Sequence, residues 1–418
     1  MDEQKGSILS SDISTPADSA GALRGVYCTI VAQNYLPQAL ALYSSIREME
    51  PDRDFVILVI DEDRSDLSRD RPRLTVATTE VLGLPPREVS DLATIYDVVE
   101  FSTAVKPLFL KYLLVAYEQA VYLDPDTFVV SPLIELEPLL DEWGIVLTPH
   151  FLEPIEPGDA YISEVHSLTV GIHNLGFCAV GRQAIPFLDW WWTHLERECL
   201  IYPLLGIFVD QKWTDIGATL FNAHSLRHYG YNVGPWNLHE RSFDDESSAW
   251  SLRQSGEQLR LFHFSGFNPE DPDAISVRLN FNMKEAGVGS NALTSLSRRY
   301  AARVLDARSM LGANPRYAFE ADTTGKVLSK RVRRAYRKDL IGQGKRHNLP
   351  SPFESIDARA FKKWKIKSLA SRVSAGAGDA AIAMKYAFPD EYNSMKRALP
   401  AQFTWLRKRL LRASRVRR

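Results

Sequence analysis

The chain has 418 residues, of which 45% are hydrophobic and 24% are charged, and its formal net charge at pH 7 is −2. This composition is that of a folded globular protein, and it excludes a fibrous or wholly disordered chain. Cys28, Cys178 and Cys199 have no metal-ligand spacing, so we expect a reducing compartment and no disulfide.

The near-neutral total conceals a division of charge along the chain. Residues 291–418 contain 30 Lys and Arg against 9 Asp and Glu, whereas residues 1–290 contain 20 against 43. We therefore predict three parts: a disordered tail over residues 1–22, an α/β domain over residues 23–285 and a basic, mainly helical region over residues 286–418.

The first 22 residues show no basic start followed by an apolar stretch, and no run of about 18 apolar residues occurs in the chain. We therefore expect neither a secretory leader nor a membrane span. A cytoplasmic location follows as the expectation.

From residue 26 onwards, apolar strand and helix patterns alternate. VYCTIVA (26–32) predicts a strand, Pro37 to Met49 a helix, and FVILVID (55–61) a second strand. A helix is predicted over residues 102–119, followed by strands at VYLDPD and at GIVLTP (144–149). Such alternation indicates a mostly parallel sheet with helices on both faces, whose ligands bind beyond the carboxyl ends of the strands.

The segment VYLDPDTFVV (121–130) places two aspartates between apolar runs, at one of these strand ends. Unpaired buried carboxylates are costly, but a divalent cation bridging them to a phosphorylated ligand would remove the cost. Hard oxygen donors suit Mg²⁺ or Mn²⁺. An ordinary Asp-Pro-Asp turn is the alternative, and the local spacing leaves both open.

Three further stretches carry weaker signals. HNLGFCAVG (173–181) is a strand pattern interrupted by glycine, which often marks the close approach of a ligand or another backbone. FVDQKWTDI (208–216) places Asp210 and Gln211 at the start of a short helix, where Asp210 could simply be a first-turn charge. LRLFHFSGFNP (259–269) is a strand pattern carrying His263, and a lone strand histidine is more often a core residue than a ligand.

Together the motifs resemble glycosyltransferase family 8, a family of nucleotide-sugar-dependent enzymes. VYCTIVAQNYL, AVKPLFLKYL, VYLDPDTFVV, HNLGFCAVG, VDQKW and LFHFSG occur in the order of that family, over roughly residues 25–270. The resemblance implies a GT-A-type fold, with a Rossmann-like, mostly parallel sheet flanked by helices, in the domain over residues 23–285. It also implies a bound UDP-sugar and Mn²⁺ (or Mg²⁺).

The same resemblance assigns roles to individual residues. Asp124, Asp126 and His263 would bind the metal, and the catalytic residues Asp210 and Gln211 would lie beside the anomeric carbon of the donor sugar. A larger set would bind the nucleotide sugar: Thr29, Val31, Asn34, Tyr35, Lys106, Asp124, Asn174, Gly176 and Gly266.

The chain departs from the family pattern at Pro269, where the family usually has a lysine that clamps the diphosphate. The run Trp190-Trp191-Trp192 is not a general family feature, and a tryptophan triplet in a helix is expected in the core. Trp236, flanked by polar residues, is the better candidate for stacking on a sugar.

The predicted activity is metal-dependent, retaining transfer of a sugar from a UDP-sugar to a glycan or lipid-linked acceptor. Asp210 or Gln211 would stabilise an oxocarbenium-like state or be attacked transiently. The alternative is a catalytically silent module that binds a nucleotide sugar or a glycan, because Pro269 removes a donor contact. A nucleotidyltransferase would want a Gly-rich basic loop after the first strand, and AQNYLPQA has none.

The last third of the chain carries helical patterns over residues 291–312, 327–340 and 402–418, of which the last two are strongly basic. Such helices can lie at an anionic membrane surface, here the inner membrane face, or pack on the acidic domain, and the sequence leaves both open. Nucleic acid is not expected as a partner, since no recognised motif accompanies the charge.

Overall fold

The computed structural model describes residues 25–156, 163–243, 250–252, 255–277, 291–312, 315–343 and 349–368, with residues 385, 390, 393 and 394. The strands in this part of the chain are β1 (Gly25–Val31), β2 (Asp54–Val59), β3 (Leu74–Ala77), β4 (Gln119–Leu123), β5 (Thr127–Val129), β6 (Ile145–Pro149), β7 (His173–Gly181), β8 (Ile201–Tyr202), β9 (Ile207–Phe208), β10 (His224–Ser225) and β11 (Leu261–His263). The α-helices are α1 (Leu36–Met49), α2 (Pro86–Ile95), α3 (Val98–Ala104), α4 (Lys106–Ala116), α5 (Leu136–Trp143), α6 (Glu164–Val170), α7 (Ile185–Glu198), α8 (Gln211–Leu220), α9 (Asn291–Leu311), α10 (Lys330–Gln343) and α11 (Ala358–Lys367).

Seven strands form the central sheet in the order β10-β6-β7-β4-β1-β2-β3. β7 is antiparallel to both of its neighbours, and the other six strands are parallel to one another. The second sheet pairs β5 with β11, and the third is the short β8–β9 hairpin. The predicted α/β class, with a mostly parallel sheet flanked by helices, is confirmed.

Both faces of the sheet are covered. Along β1, Val26, Cys28 and Ile30 join one core cluster, which includes residues of α2, α3, α4 and α7. Tyr27 and Val31 point the other way into a second cluster with α1 and α5. Strands buried on both faces read as continuous apolar runs, which is why VYCTIVA was recognisable as a strand.

The single helix predicted over residues 102–119 is wrong, because the structure has two helices there. α3 begins at a capping box formed by Asp97 and Glu100 and ends at Ala104. Pro107 then occupies the first turn of α4, the helical position that tolerates a missing N–H. The break places Lys106 at the amino end of α4, close to the carboxyl end of the sheet.

The described C-terminal residues are mainly helical, as predicted, and their helices pack on the α/β domain. α9 lies against α1, and the core cluster beside α2 includes Val332, Tyr336 and Phe361. Arg333 is buried and donates to the carbonyl oxygens of Ala93 and Tyr96, 2.6 Å away in each case, so it caps the end of α2.

The predicted tail over residues 1–22 and the predicted helix over residues 402–418 lie outside the described residues. Within the part that is described, none of the helices has both the length and the apolar character needed to cross a membrane. The division into domains at residues 285 and 286 stays a prediction.

Candidate active site

A cavity of about 620 Å³ opens beyond the carboxyl ends of β1 and β4. Most of the residues predicted for the site line it: Val31, Asn34, Tyr35, Lys106, Asp124, Asp126, Asn174, Gly176, Asp210, Gln211 and His263. Thr29 and Gly266 are not among its lining residues. Thr29 is fully buried within β1, and Gly266 lies in a turn after β11 at a φ of +71°.

Asp124, Asp126 and His263 converge in this cavity, with one ligand atom from each lying within 4.8 Å of the others. Nε2 of His263 is 3.2 Å from Oδ1 of Asp126 and 3.8 Å from Oδ2 of Asp124. Two carboxylates and one imidazole nitrogen are a donor set that divalent cations accept in proteins. The three residues therefore fit the metal that the resemblance implies.

Strand pairing brings these distant parts of the chain together. Asp124 and Asp126 form the turn between β4 and β5, and β5 pairs with β11 so that Thr127 lies opposite His263. The backbone N–H of Phe264 also donates to the carbonyl oxygen of Asp126, at 2.7 Å. The side chain of Tyr122 donates to Oδ1 of Asp124, at 2.7 Å, which orients that carboxylate.

Asn232 lies behind His263 and was not predicted from the sequence. Its Oδ1 is 3.1 Å from Nδ1 of His263, and its Nδ2 donates to Thr148 at 2.8 Å and to Oδ1 of Asn174 at 3.1 Å. The side chain is 1% exposed, and the backbone is left-handed, with φ of +50°. Asparagine tolerates this conformation better than most residues, but nothing in the local sequence indicates a role in the site.

Gly176 allows the imidazole to reach this position. A Cβ atom on Gly176 would lie 2.3 Å from Cε1 of His263 and 2.9 Å from Oδ1 of Asn174. The glycine in HNLGFCAVG therefore does mark a close approach, and the approaching group is the ring of His263.

Lys106 and Asp210 form a buried ion pair at the floor of the cavity. Nζ of Lys106 donates to Oδ2 of Asp210 at 2.5 Å and to the carbonyl oxygen of Leu175 at 2.9 Å, and it lies 4.1 Å from the ring centre of Tyr122. Burial opposes the charged form of Lys106, but the carboxylates of Asp210 and Asp124 outweigh it and raise the pKa. Lys106 is thus a fixed cation that pairs with Asp210.

Gln211 and Trp236, which were also predicted from the sequence to lie in the site, line the same cavity. Nε2 of Gln211 donates to the carbonyl oxygen of Val170 at 2.9 Å, which fixes the orientation of its amide. The ring of Trp236 meets His263 edge to face, with 5.1 Å between ring centres, and the residue is 8% exposed. Of the tryptophan triplet expected in the core, only Trp191 is fully buried, and it donates to the backbone oxygen of Asp210, whereas Trp190 and Trp192 are partly buried against the core.

Comparison with known proteins gives one sequence relative. The chain is 28% identical over 258 residues to an uncharacterized protein, YfnF, of Bacillus subtilis (strain 168), and the match covers 59% of this chain and 82% of YfnF. No protein-family model matches the chain.

Several solved glycosyltransferases are similar at low identity. The galactosyltransferase LgtC, in complex with donor and acceptor sugar analogs, is 13% identical, with a TM-score of 0.38 over 67% of this chain and 95% of LgtC. GlyE of Streptococcus pneumoniae TIGR4 is 14% identical, with a TM-score of 0.40 over 69% of this chain and 63% of GlyE. The mannosyltransferase Ktr4p of S. cerevisiae is 11% identical, with a TM-score of 0.34 over 68% of this chain and 84% of Ktr4p.

The order of the central sheet, its one antiparallel strand and the Asp-Pro-Asp turn at the carboxyl end of β4 define the chain as an α/β protein and agree with the GT-A type that the resemblance implies. Membership of glycosyltransferase family 8 stays a prediction made from the motifs.

Proposed function

We propose that this chain is a metal-dependent glycosyltransferase that moves a sugar from a UDP-sugar to a glycan or lipid-linked acceptor. The observation that carries the proposal is the convergence of Asp124, Asp126 and His263 in one cavity with Gln211 and the Lys106–Asp210 pair. The cavity volume of about 620 Å³ is within the usual range for sites of small ligands, about 300–1,000 Å³.

The proposed ion is Mn²⁺ or Mg²⁺, held by Asp124, Asp126 and His263. When bound, it would supply positive charge next to the diphosphate of the donor and so stabilise the departing nucleotide. Asn232 orients the imidazole towards the carboxylates, and Tyr122 orients Asp124. These partners hold two of the three side chains, those of His263 and Asp124, in place before a metal binds.

Asp210 and Gln211 have different surroundings and are proposed to differ in role. The carboxylate of Asp210 is 2% exposed and bonded to Lys106, so it is a fixed negative charge beneath the sugar. Gln211 is only partly buried and lines the cavity, so its amide is the group that contacts the sugar near the anomeric carbon. Retention of anomeric configuration is part of the proposal.

A nucleotide-sugar-binding or glycan-binding module without turnover is the second candidate. Pro269 offers no side-chain donor where the family has a lysine, and the ammonium of Lys106 is already bonded to Asp210 and to Leu175. Turnover separates the two candidates, because both bind a nucleotide sugar but only the enzyme releases the nucleotide.

The test is UDP release by the full chain from a panel of UDP-sugars, with Mn²⁺ and with EDTA. Asp126→Asn should abolish release, while Asp63→Asn, in an exposed turn, should leave it unchanged. Both variants should keep the parent melting temperature in EDTA. Full activity of Asp126→Asn, or full activity in EDTA, contradicts metal dependence. A melting temperature raised by a UDP-sugar without any UDP release indicates the binding module.

The anionic membrane surface and the cytoplasmic location are also proposals. The basic helix predicted over residues 402–418 lies outside the described residues. In α10, Arg333 and Arg334 turn towards the α/β domain, where Arg334 pairs with Glu100. Two of the cations in the basic region that was predicted to contact a membrane therefore hold α10 on the α/β domain.

A further inference from the structure

Residues 201–208, IYPLLGIF, form a hairpin that contains no charged side chain. We name this segment the apolar finger. Ile201 pairs with Phe208, and Tyr202 with Ile207, while the tip projects beyond these pairs. At the tip, Leu204 is 52% exposed and Leu205 is 44% exposed. An exposed apolar segment of this kind usually marks an interaction surface.

The apolar finger lies at the mouth of the proposed active site. Ile201 and Phe208 at its base line the cavity, and the backbone N–H of Ile201 donates to Oε1 of Glu100 in α3, at 2.8 Å. α6 lies against β9 and adds two exposed apolar side chains, Val165 and Leu168. The apolar surface is therefore continuous with the lining of the cavity.

A basic helix lies beside the finger. Glu100, which accepts from Ile201, also pairs with Arg334 of α10, so one buried carboxylate joins the two elements. On the same helix, Arg331 and Lys338 are exposed, and Lys330 is exposed while pairing with Asp97. Apolar side chains next to exposed cations are the combination that binds an anionic lipid interface.

We propose that the apolar finger docks the mouth of the cavity on an anionic membrane surface, so that a lipid-linked acceptor presents its head group to the site. This inference rests on the proposed function for the role of the cavity, but the docking itself does not. A freely soluble glycan acceptor would gain nothing from an uncharged hairpin at the entrance, whereas a bilayer accommodates Leu204 and Leu205 beneath its head groups.

A fluorescent label at the tip tests the docking directly. All three native cysteines are buried, so in Leu204→Cys the new thiol can be labelled selectively with the environment-sensitive fluorophore NBD. Mixed with vesicles of equal parts phosphatidylglycerol and phosphatidylcholine, the labelled full chain should show a blue-shifted, stronger emission. The same label in Val115→Cys should not respond, because Val115 lies in the last turn of α4, just before the amino end of β4, whereas the cavity lies beyond the carboxyl end of that strand.

Co-sedimentation with the same vesicles gives the second measurement. The measurement is made at an ionic strength of about 0.15 M, where salt screens long-range attraction. Under this condition Leu204→Asp should lower the ratio of vesicle-bound to free protein roughly tenfold. Val115→Asp adds the same charge to a side chain of similar exposure and should bind like the parent.

Several outcomes would overturn the docking: no vesicle binding by the parent chain, an unresponsive label at position 204, or equal losses in Leu204→Asp and Val115→Asp. UDP release on a soluble acceptor is measured in parallel and separates the two proposals. If Leu204→Asp releases UDP like the parent but no longer binds the vesicles, both proposals are supported. If the chain binds vesicles through the finger but never releases UDP, only the proposed function is wrong.

Discussion

The Nδ1 atom of His263 lies 3.1 Å from Oδ1 of Asn232, and Nε2 of the same ring faces Asp126 at 3.2 Å. An asparagine oxygen can only accept a hydrogen bond, so this contact requires a proton on Nδ1 of His263, and in the neutral imidazole the lone pair then lies on Nε2, facing the carboxylates. Asn232 thereby selects the form of His263 that can bind a cation, and it is a positioning residue for the proposed metal site.

Replacing Asn232 should therefore weaken metal binding. We expect Asn232→Ala to raise the dissociation constant for Mn²⁺ about 10–100-fold, measured by electron paramagnetic resonance of free Mn²⁺ without any substrate. Asn232→Asp keeps an acceptor for Nδ1 but loses the amide donor to Thr148, so it should bind Mn²⁺ more tightly than Asn232→Ala. Equal affinity of parent and Asn232→Ala would show that the contact serves folding alone.

Gly176→Ala should displace the imidazole, because the added methyl carbon would lie 2.3 Å from Cε1 of His263. Overpacking of this kind costs on the order of 1–3 kcal/mol of unfolding free energy, and Mn²⁺ affinity should fall with it. Gly342→Ala, in helix α10, is the matched control, since among the described residues no heavy atom lies within 4 Å of its added carbon apart from its chain neighbours and the backbone of its own helix. Urea unfolding and Mn²⁺ titration of both variants measure these effects. If Gly176→Ala has the unfolding free energy and the Mn²⁺ affinity of the parent, the ring of His263 does not occupy this position in solution.

Gln211→Ala should lower kcat far more than it raises the KM for the donor. The reason is that an amide beside the anomeric carbon is proposed to act mainly in the transition state. Steady-state kinetics with the best UDP-sugar of the panel provides the measurement, with Gln183→Ala as a control outside the cavity lining. A change confined to KM would instead assign Gln211 to donor binding.

Acid should destabilise the fold through His150. Burial lowers the pKa of His150 from its ordinary 6.5 to about 4. Between these values the unfolded chain binds a proton that the folded chain does not, so the unfolding free energy falls as the pH is lowered below 6.5. The contribution lost by pH 5 is about 2 kcal/mol.

Urea unfolding at pH 7 and pH 5 measures this effect. His150→Gln removes the titrating ring. The unfolding free energy of this variant should therefore fall between pH 7 and pH 5 by about 2 kcal/mol less than that of the parent. His166→Gln, on the exposed helix α6, should behave like the parent. An unchanged pH dependence in His150→Gln would show that His150 ionises normally in the folded chain.

The local sequence patterns were enough to predict the strands that are buried on both faces, such as β1 and β2, and the Asp-Pro-Asp turn. They failed at the break near Pro107, because periodicity alone does not distinguish one bent helix from two. Asn232 could not be found in this way, since its position depends on the left-handed backbone and on the pairing of β11 with β5. The apolar finger was not predicted either, because Pro203 and Gly206 indicate a turn but the local pattern does not show that Leu204 and Leu205 are exposed.

The cap that Arg333 places on α2 has a consequence for biosynthesis. Tyr336 of the same helix bonds to Asp91, 245 residues earlier in the chain. At about 5–20 residues per second, a ribosome needs roughly 12–50 s to travel between them. During that interval the nascent α/β domain exposes the apolar flank of α2, together with the carbonyl groups that Arg333 later satisfies. The protein therefore completes the core beside α2 only when its last third has been made, since Val332, Tyr336 and Phe361 belong to that core.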